Sequence, residues 1–81
     1  MYDEIFKDLS LRYNKATLTK KELAHELNLS IHTINARIVK GLDLPDYKKI
    51  GNAKNSKVVF PIVAVAEYLS NTIKIFKNGY Q

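Results

Sequence analysis

Apolar residues in the first thirteen positions fall at Tyr2, Ile5, Phe6, Leu9 and Tyr13, the spacing of one helical face. Asp3 and Glu4 suit the first turn, where the helix end carries partial positive charge. The pattern predicts a helix over residues 2–13 that covers a core. A partner or dimer surface is its alternative use. Asn14 to Leu18 read as a linker.

The next stretch, TKKELAHELNLSIHTINARIVKG from Thr19 to Gly41, carries the densest local signals. Thr19 and Glu22 have capping-box spacing, and Leu18 with Leu23 occupy the two staple positions. A helix from Lys20 to Leu27 follows, with Leu23, Ala24 and Leu27 as its apolar face. Asn28 sits at the reversal, where a left-handed backbone suits Asn. Ser30 is a fitting N-cap for a second helix, Leu29 and Ile34 repeat the staple, and Ile34 with Ile38 face inward. Gly41 stops that helix. The small side chain of Ala24 fits a close helix crossing. Two short helices joined by a tight turn are the geometry of a DNA-binding helix-turn-helix. An ordinary helical hairpin is the bland alternative.

Beyond Gly41, Leu42 to Asp46 break the helix, since Pro45 disfavours helical geometry at Leu44. Tyr47 to Phe60 read as a β-hairpin with strands near Tyr47–Ile50 and Lys57–Phe60 and turn residues between them. Pro61 suits the first position of a further helix. Val63, Ala64, Ala66 and Leu69 suggest that this helix is well buried, and it extends through Ile73 and Phe76. Its stripe of Val65, Leu69, Ile73 and Phe76 packs on the first helix or forms a homodimer seam. Asn78 to Gln81 are expected to fray. The whole is expected to be one domain, 1–81, divided as 1–14, 17–41, 47–60 and 61–77. Its class is mainly α with a small β-hairpin, a winged helix-turn-helix with extra N-terminal and C-terminal helices.

Composition sharpens this picture. A chain of 81 residues buries only about 60% of its unfolded surface, so its stability margin is thin. The net charge of +5 is unevenly placed. Residues 14–40 hold five basic against two acidic side chains, and residues 47–60 hold four Lys and no acid. That distribution is the footprint of a face that meets a polyanion. The chain has no Cys, and its two His and scattered acids show no metal-ligand or triad spacing. No Gly-rich phosphate loop is present. Neither an enzyme, a cofactor, a metal nor a small-molecule substrate is expected. No run of about 18 apolar residues and no signal-peptide pattern occurs, so a cytoplasmic protein with no membrane partner is expected.

On the second helix, the outward positions are Ile31, His32, Asn35, Ala36 and Val39, with Ser30 and Thr33 at its start. Ser30 and Thr33 suit a phosphate. Asn35 can pair with adenine, His32 can donate to guanine or a phosphate, and Ile31 and Ala36 can touch thymine methyl groups. Arg37 and Lys40 are phosphate candidates. Lys48 and Lys49 add charge at the hairpin base and Lys54 and Lys57 at its tip, with the turn residues Asn55 and Ser56 between the latter two. The expected partner is double-stranded DNA, with the hairpin on the backbone or adjacent minor groove. Simple solvent exposure is the alternative for each polar residue. His25 points outward with no evident role.

The order of parts resembles the AlpA-like regulators and phage excisionases, small winged helix-turn-helix proteins related to the MerR DNA-binding domain. The resemblance covers residues 17–70 and rests on LTKKELAHELNLS, IVKGLDLP, Lys49-Ile50-Gly51 and FPIVAVAEYL. It implies a groove-reading set of Ser30, Ile31, His32, Thr33, Asn35, Ala36 and Arg37, and a wing set of Lys54 to Lys57. The chain departs from the family at Asn28, where Gly is usual, and at Ile31 and Ala36, where basic residues are common. The first helix is an addition. The functional expectation is a sequence-specific transcriptional regulator or excisionase-like factor of a phage or mobile element. The alternative is a protein-interaction or phage packaging module that uses the helix-turn-helix as a scaffold.

Overall fold

Four helices and a three-stranded antiparallel sheet make up the computed structural model, which describes residues 1–51 and 57–79, with side chains through residue 72. In chain order they are α1 (Tyr2–Tyr13), β1 (Thr17–Leu18), α2 (Lys20–Leu27), α3 (Ile31–Lys40), β2 (Lys48–Ile50), β3 (Lys57–Pro61) and α4 (Ile62–Gly79).

The local signals of residues 19–41 act as expected. Thr19 Oγ1 accepts from the Glu22 amide at 3.1 Å, and Glu22 Oε1 accepts from the Thr19 amide at 2.9 Å. Lys15 Nζ adds an ion pair to the same Glu22 oxygen at 2.7 Å. Asn28 has φ 56°, and the Leu29 amide donates to the Ala24 carbonyl at 2.9 Å. Gly41 has φ 66°, and the Leu42 amide donates to the Arg37 carbonyl at 2.9 Å. Both helices thus end in the same left-handed cap with a six-to-one bond, once on Asn and once on Gly. Asn14 also ends α1 in the left-handed region, with φ 52° and a five-to-one bond from its amide to the Ser10 carbonyl at 2.9 Å.

The core joins Leu9 of α1, Leu18 of β1, Leu23 and Ala24 of α2, and Ile34 of α3 to Val58 and Phe60 of β3 and to Ile62, Val65 and Ala66 of α4. Tyr2, Ile5, Phe6 and Tyr13, the expected stripe of α1, flank it, and α1 packs against α4. Among the described residues no polar or charged side chain is buried. No described helix is long and apolar enough to cross a membrane.

Several expectations need correction. The 14–18 linker contains β1, so the sheet has three strands in the order β1-β3-β2 rather than two. Thr17 pairs with Pro61 and Leu18 with Phe60, and the Ile62 amide donates to the Ala16 carbonyl at 2.8 Å. Two residues are too few to show strand alternation, and β1 exists because β3 offers it a ladder. The same pairing draws Pro61 into the end of β3, so α4 starts at Ile62 and Pro61 stands one position before its first turn. Tyr47 precedes β2, with its ring 5.5 Å from that of Phe60. Val63 is exposed, because Ile62, Val65 and Ala66 supply the inward face of α4. Asn78 is helical, since α4 continues to Gly79.

One polar cluster ties α1 to α2. Arg12 donates to Glu26 from Nη1 at 2.7 Å and from Nη2 at 2.8 Å, and to Asp8 from Nε at 3.0 Å and from Nη2 at 2.8 Å. The Tyr13 hydroxyl also donates to Glu26. The Glu26 side chain is only 9% exposed. The Arg12 hydrogen bond, with that from Tyr13, holds the Glu26 carboxyl below its ordinary 4.5 against the opposing effect of burial. Burial and the bond to Glu26 push the Tyr13 hydroxyl up to about 12.

Two predictions follow from this packing. Ala24→Leu should overpack the α2–α3 crossing and lower stability by about 1–3 kcal/mol. A urea curve equal to the parent's would contradict that packing. For Glu26, a carboxyl more acidic folded than unfolded stabilises fully above its ordinary 4.5 and loses that effect as the pH falls through the folded pKa. Glu26→Gln should therefore be less stable at neutral pH, by roughly 1–3 kcal/mol. It should also lose less than the parent between about pH 6 and about pH 3. Urea unfolding across that range checks both, and parallel curves would remove the titrating role of Glu26.

Candidate nucleic-acid interface

α3 is fastened from behind. Ile34 is fully buried and Ile38 half-buried, four residues apart on one face. At its start, Ser30 Oγ accepts from the Thr33 amide at 3.1 Å and lies 3.0 Å from Thr33 Oγ1. This cap leaves Ser30 exposed and Thr33 half-buried at the positive end of the helix.

The opposite face is open. Ile31, His32, Asn35, Ala36, Val39 and Lys40 are all exposed, Val39 at 84%. No acidic residue occurs in α3. Lys20, the first residue of α2, reaches across the crossing and donates from Nζ to Asn35 Oδ1 at 2.9 Å. Sequence reading missed Lys20, which lies 15 positions before Asn35 in the chain. Only the α2–α3 crossing brings the two together.

Arg37 behaves differently from a free phosphate contact. It is half-buried, and its Nη1 donates to the Asp43 carbonyl at 3.2 Å. The Tyr68 hydroxyl of α4 donates to Asp43 Oδ2 at 3.0 Å. Burial, reinforced by Asp43, pushes the Tyr68 hydroxyl up from its ordinary value. Arg37 thus helps anchor the exit of α3 to α4. Its i−4 relation to Gly41 and its nearness to Asp43 were visible in the chain, but the direction of the guanidinium was not.

On the sheet, Lys48 pairs with Val59, Lys49 with Val58 and Ile50 with Lys57. Cross-strand partners share a face. Lys48 and Lys57 therefore lie on the outer face of the sheet, with Ile50 beside Lys57. Lys49 shares the face of buried Val58 but stays exposed, because β2 is an edge strand. An inward-pointing Lys on an edge discourages strand addition. Lys54, Asn55 and Ser56 lie outside the described residues.

One concavity has the wrong chemistry for a polyanion. An open cleft of about 160 Å³ lies between Leu44–Asp46 and α4, lined by Ala64, Glu67, Tyr68 and Asn71 as well. Its two carboxylates, Asp46 and Glu67, would repel phosphate. Among the described residues no three His, Asp or Glu side chains gather as a metal site.

Comparison with protein-family models, with curated proteins and with solved structures found no match to the chain.

Proposed function

We propose that the chain is a sequence-specific DNA-binding protein of the winged helix-turn-helix type, with α3 in the major groove and the β2–β3 hairpin on the backbone or adjacent minor groove. One observation carries this reading. α3 is pinned from behind by Ile34 and Ile38, while its outward face is exposed and free of acid. A helix presented in this way fits the major groove.

The roles follow from side-chain chemistry. Ser30 and Thr33, at the amide-rich start of α3, take a phosphate. His32 and Asn35 address base edges, and Ile31 and Ala36 address thymine methyl groups. Lys40, Lys48 and Lys57 neutralise phosphates. Arg37 serves mainly to hold the exit of α3. The resemblance to AlpA-like regulators and excisionases agrees with this order of parts. It makes the chain a small regulator or excisionase-like factor of a phage or mobile element, acting on DNA in the cytoplasm.

Selection of bound duplexes from a random pool at two salt concentrations tests the reading. A recovered motif of a few base pairs, bound less tightly at higher salt, is the expected result. No enrichment at either salt would overturn it and favour a protein-interaction module. Two variants separate the roles. Asn35→Ala should weaken the preferred duplex by about 1–3 kcal/mol and barely change random DNA. Equal losses on both would exclude base reading there. Lys57→Ala should weaken all duplexes alike and flatten the salt slope by about one unit. An unchanged slope would leave Lys57 facing solvent.

A further inference from the structure

The Lys20–Asn35 contact bears on which base is read. An Asn amide has one oxygen that accepts and one nitrogen with two hydrogens that donate. A Lys ammonium has three donors and no acceptor. The group 2.9 Å from Lys20 Nζ must therefore be the Asn35 oxygen, and that orientation leaves the amide nitrogen for the outside. Both acids of α2 are committed elsewhere, Glu22 to Lys15 and Glu26 to Arg12. Lys20 thus adds its charge to the face of α3.

Base edges in the major groove differ in what they ask for. Adenine presents N7 as acceptor and N6 as donor, so an amide reads it with one donor and one acceptor. Guanine presents N7 and O6, both acceptors. With its oxygen turned to Lys20 and engaged there, Asn35 directs its amide donors outward, and the remaining ammonium hydrogens beside it are donors as well. Resting on the DNA-binding reading above, we propose that Lys20 and Asn35 form one donor-rich reading unit that selects guanine over adenine at the base pair facing Asn35. Lys20 is then a specificity-determining residue supplied by the first helix of the pair. Removing it frees the Asn35 oxygen and restores the donor–acceptor pattern that suits adenine.

The test is selection from a random duplex pool with the full chain and with Lys20→Met, Lys20→Arg and Asn35→Ala, each checked by melting curve. The parent motif should contain one guanine whose preference vanishes in Asn35→Ala. In Lys20→Met the guanine-to-adenine ratio at that position should fall by roughly tenfold. Lys20→Arg, still a donor without an acceptor, should keep guanine. Adenine at the Asn35-dependent position in the parent would overturn the proposal. So would a Lys20→Met variant that weakens all duplexes alike with an unchanged ratio, because Lys20 would then be a phosphate contact. Both results leave DNA binding itself standing. A parent chain that enriches no motif would overturn the DNA reading and this inference together.

Discussion

Everything in this fold hangs on the burial of one short strand. β3 touches β1, β2, α2 and α4, and it turns Val58 and Phe60 inward while Val59 and Pro61 face out. Phe60 is fully buried, and it meets Leu18 across the ladder and the Tyr47 ring at its side. A fully buried Phe contributes on the order of 1.5–3 kcal/mol of transfer free energy, and removing it adds a cavity cost. In so short a chain that is a large share of the stability. Because the strand also leads directly into α4, its placement sets where the last helix lies. It also gives α2 the surface on which α3 is then supported.

Polar groups do a different task. Among the described residues the interior holds none, so the core specifies shape by packing alone. The directional bonds sit at its edge and fix how elements are turned. Arg12, Glu26 and Tyr13 lock α1 to α2, with Glu26 nearly removed from solvent. Arg37, Asp43 and Tyr68 lock the exit of α3 to α4. α3 is therefore held at its start by the Ser30 cap, in its middle by Ile34 and at its end through Asp43. A helix held at three points can present side chains to a partner without first paying to become ordered.

Charge is sorted over the surface. The exposed face of α3 and the outer face of the sheet carry Lys without acid, while the cleft beside α4 carries Asp46 and Glu67. A net charge of +5 alone would say little about where a polyanion sits. The segregation leaves the α3 face and the outer face of the sheet basic, while the cleft beside α4 carries the opposite sign. Within the basic face, Lys20 and Asn35 show how a hydrogen bond between neighbouring helices can change which polar groups a side chain leaves facing outward.

Much of this was legible in the chain because it rests on short spacings. Caps at Thr19, Ser30, Asn28 and Gly41, and the apolar periods of α1, α2 and α3, involve partners three to five residues apart. Such contacts form wherever the local sequence is right, so the bounds of α2 and α3 could be read directly. The exposure of Ile31, His32, Asn35, Ala36 and Val39 followed from the same period. The remainder needed distant parts of the chain side by side. β1 is two residues long and has no pattern of its own. Pro61 and Val63 took their environments from which neighbours arrived. Lys20 found Asn35, and Arg37 found the Asp43 loop, through the crossing and exit angles of helices. Those angles are set by packing in the core, which no spacing along the chain records.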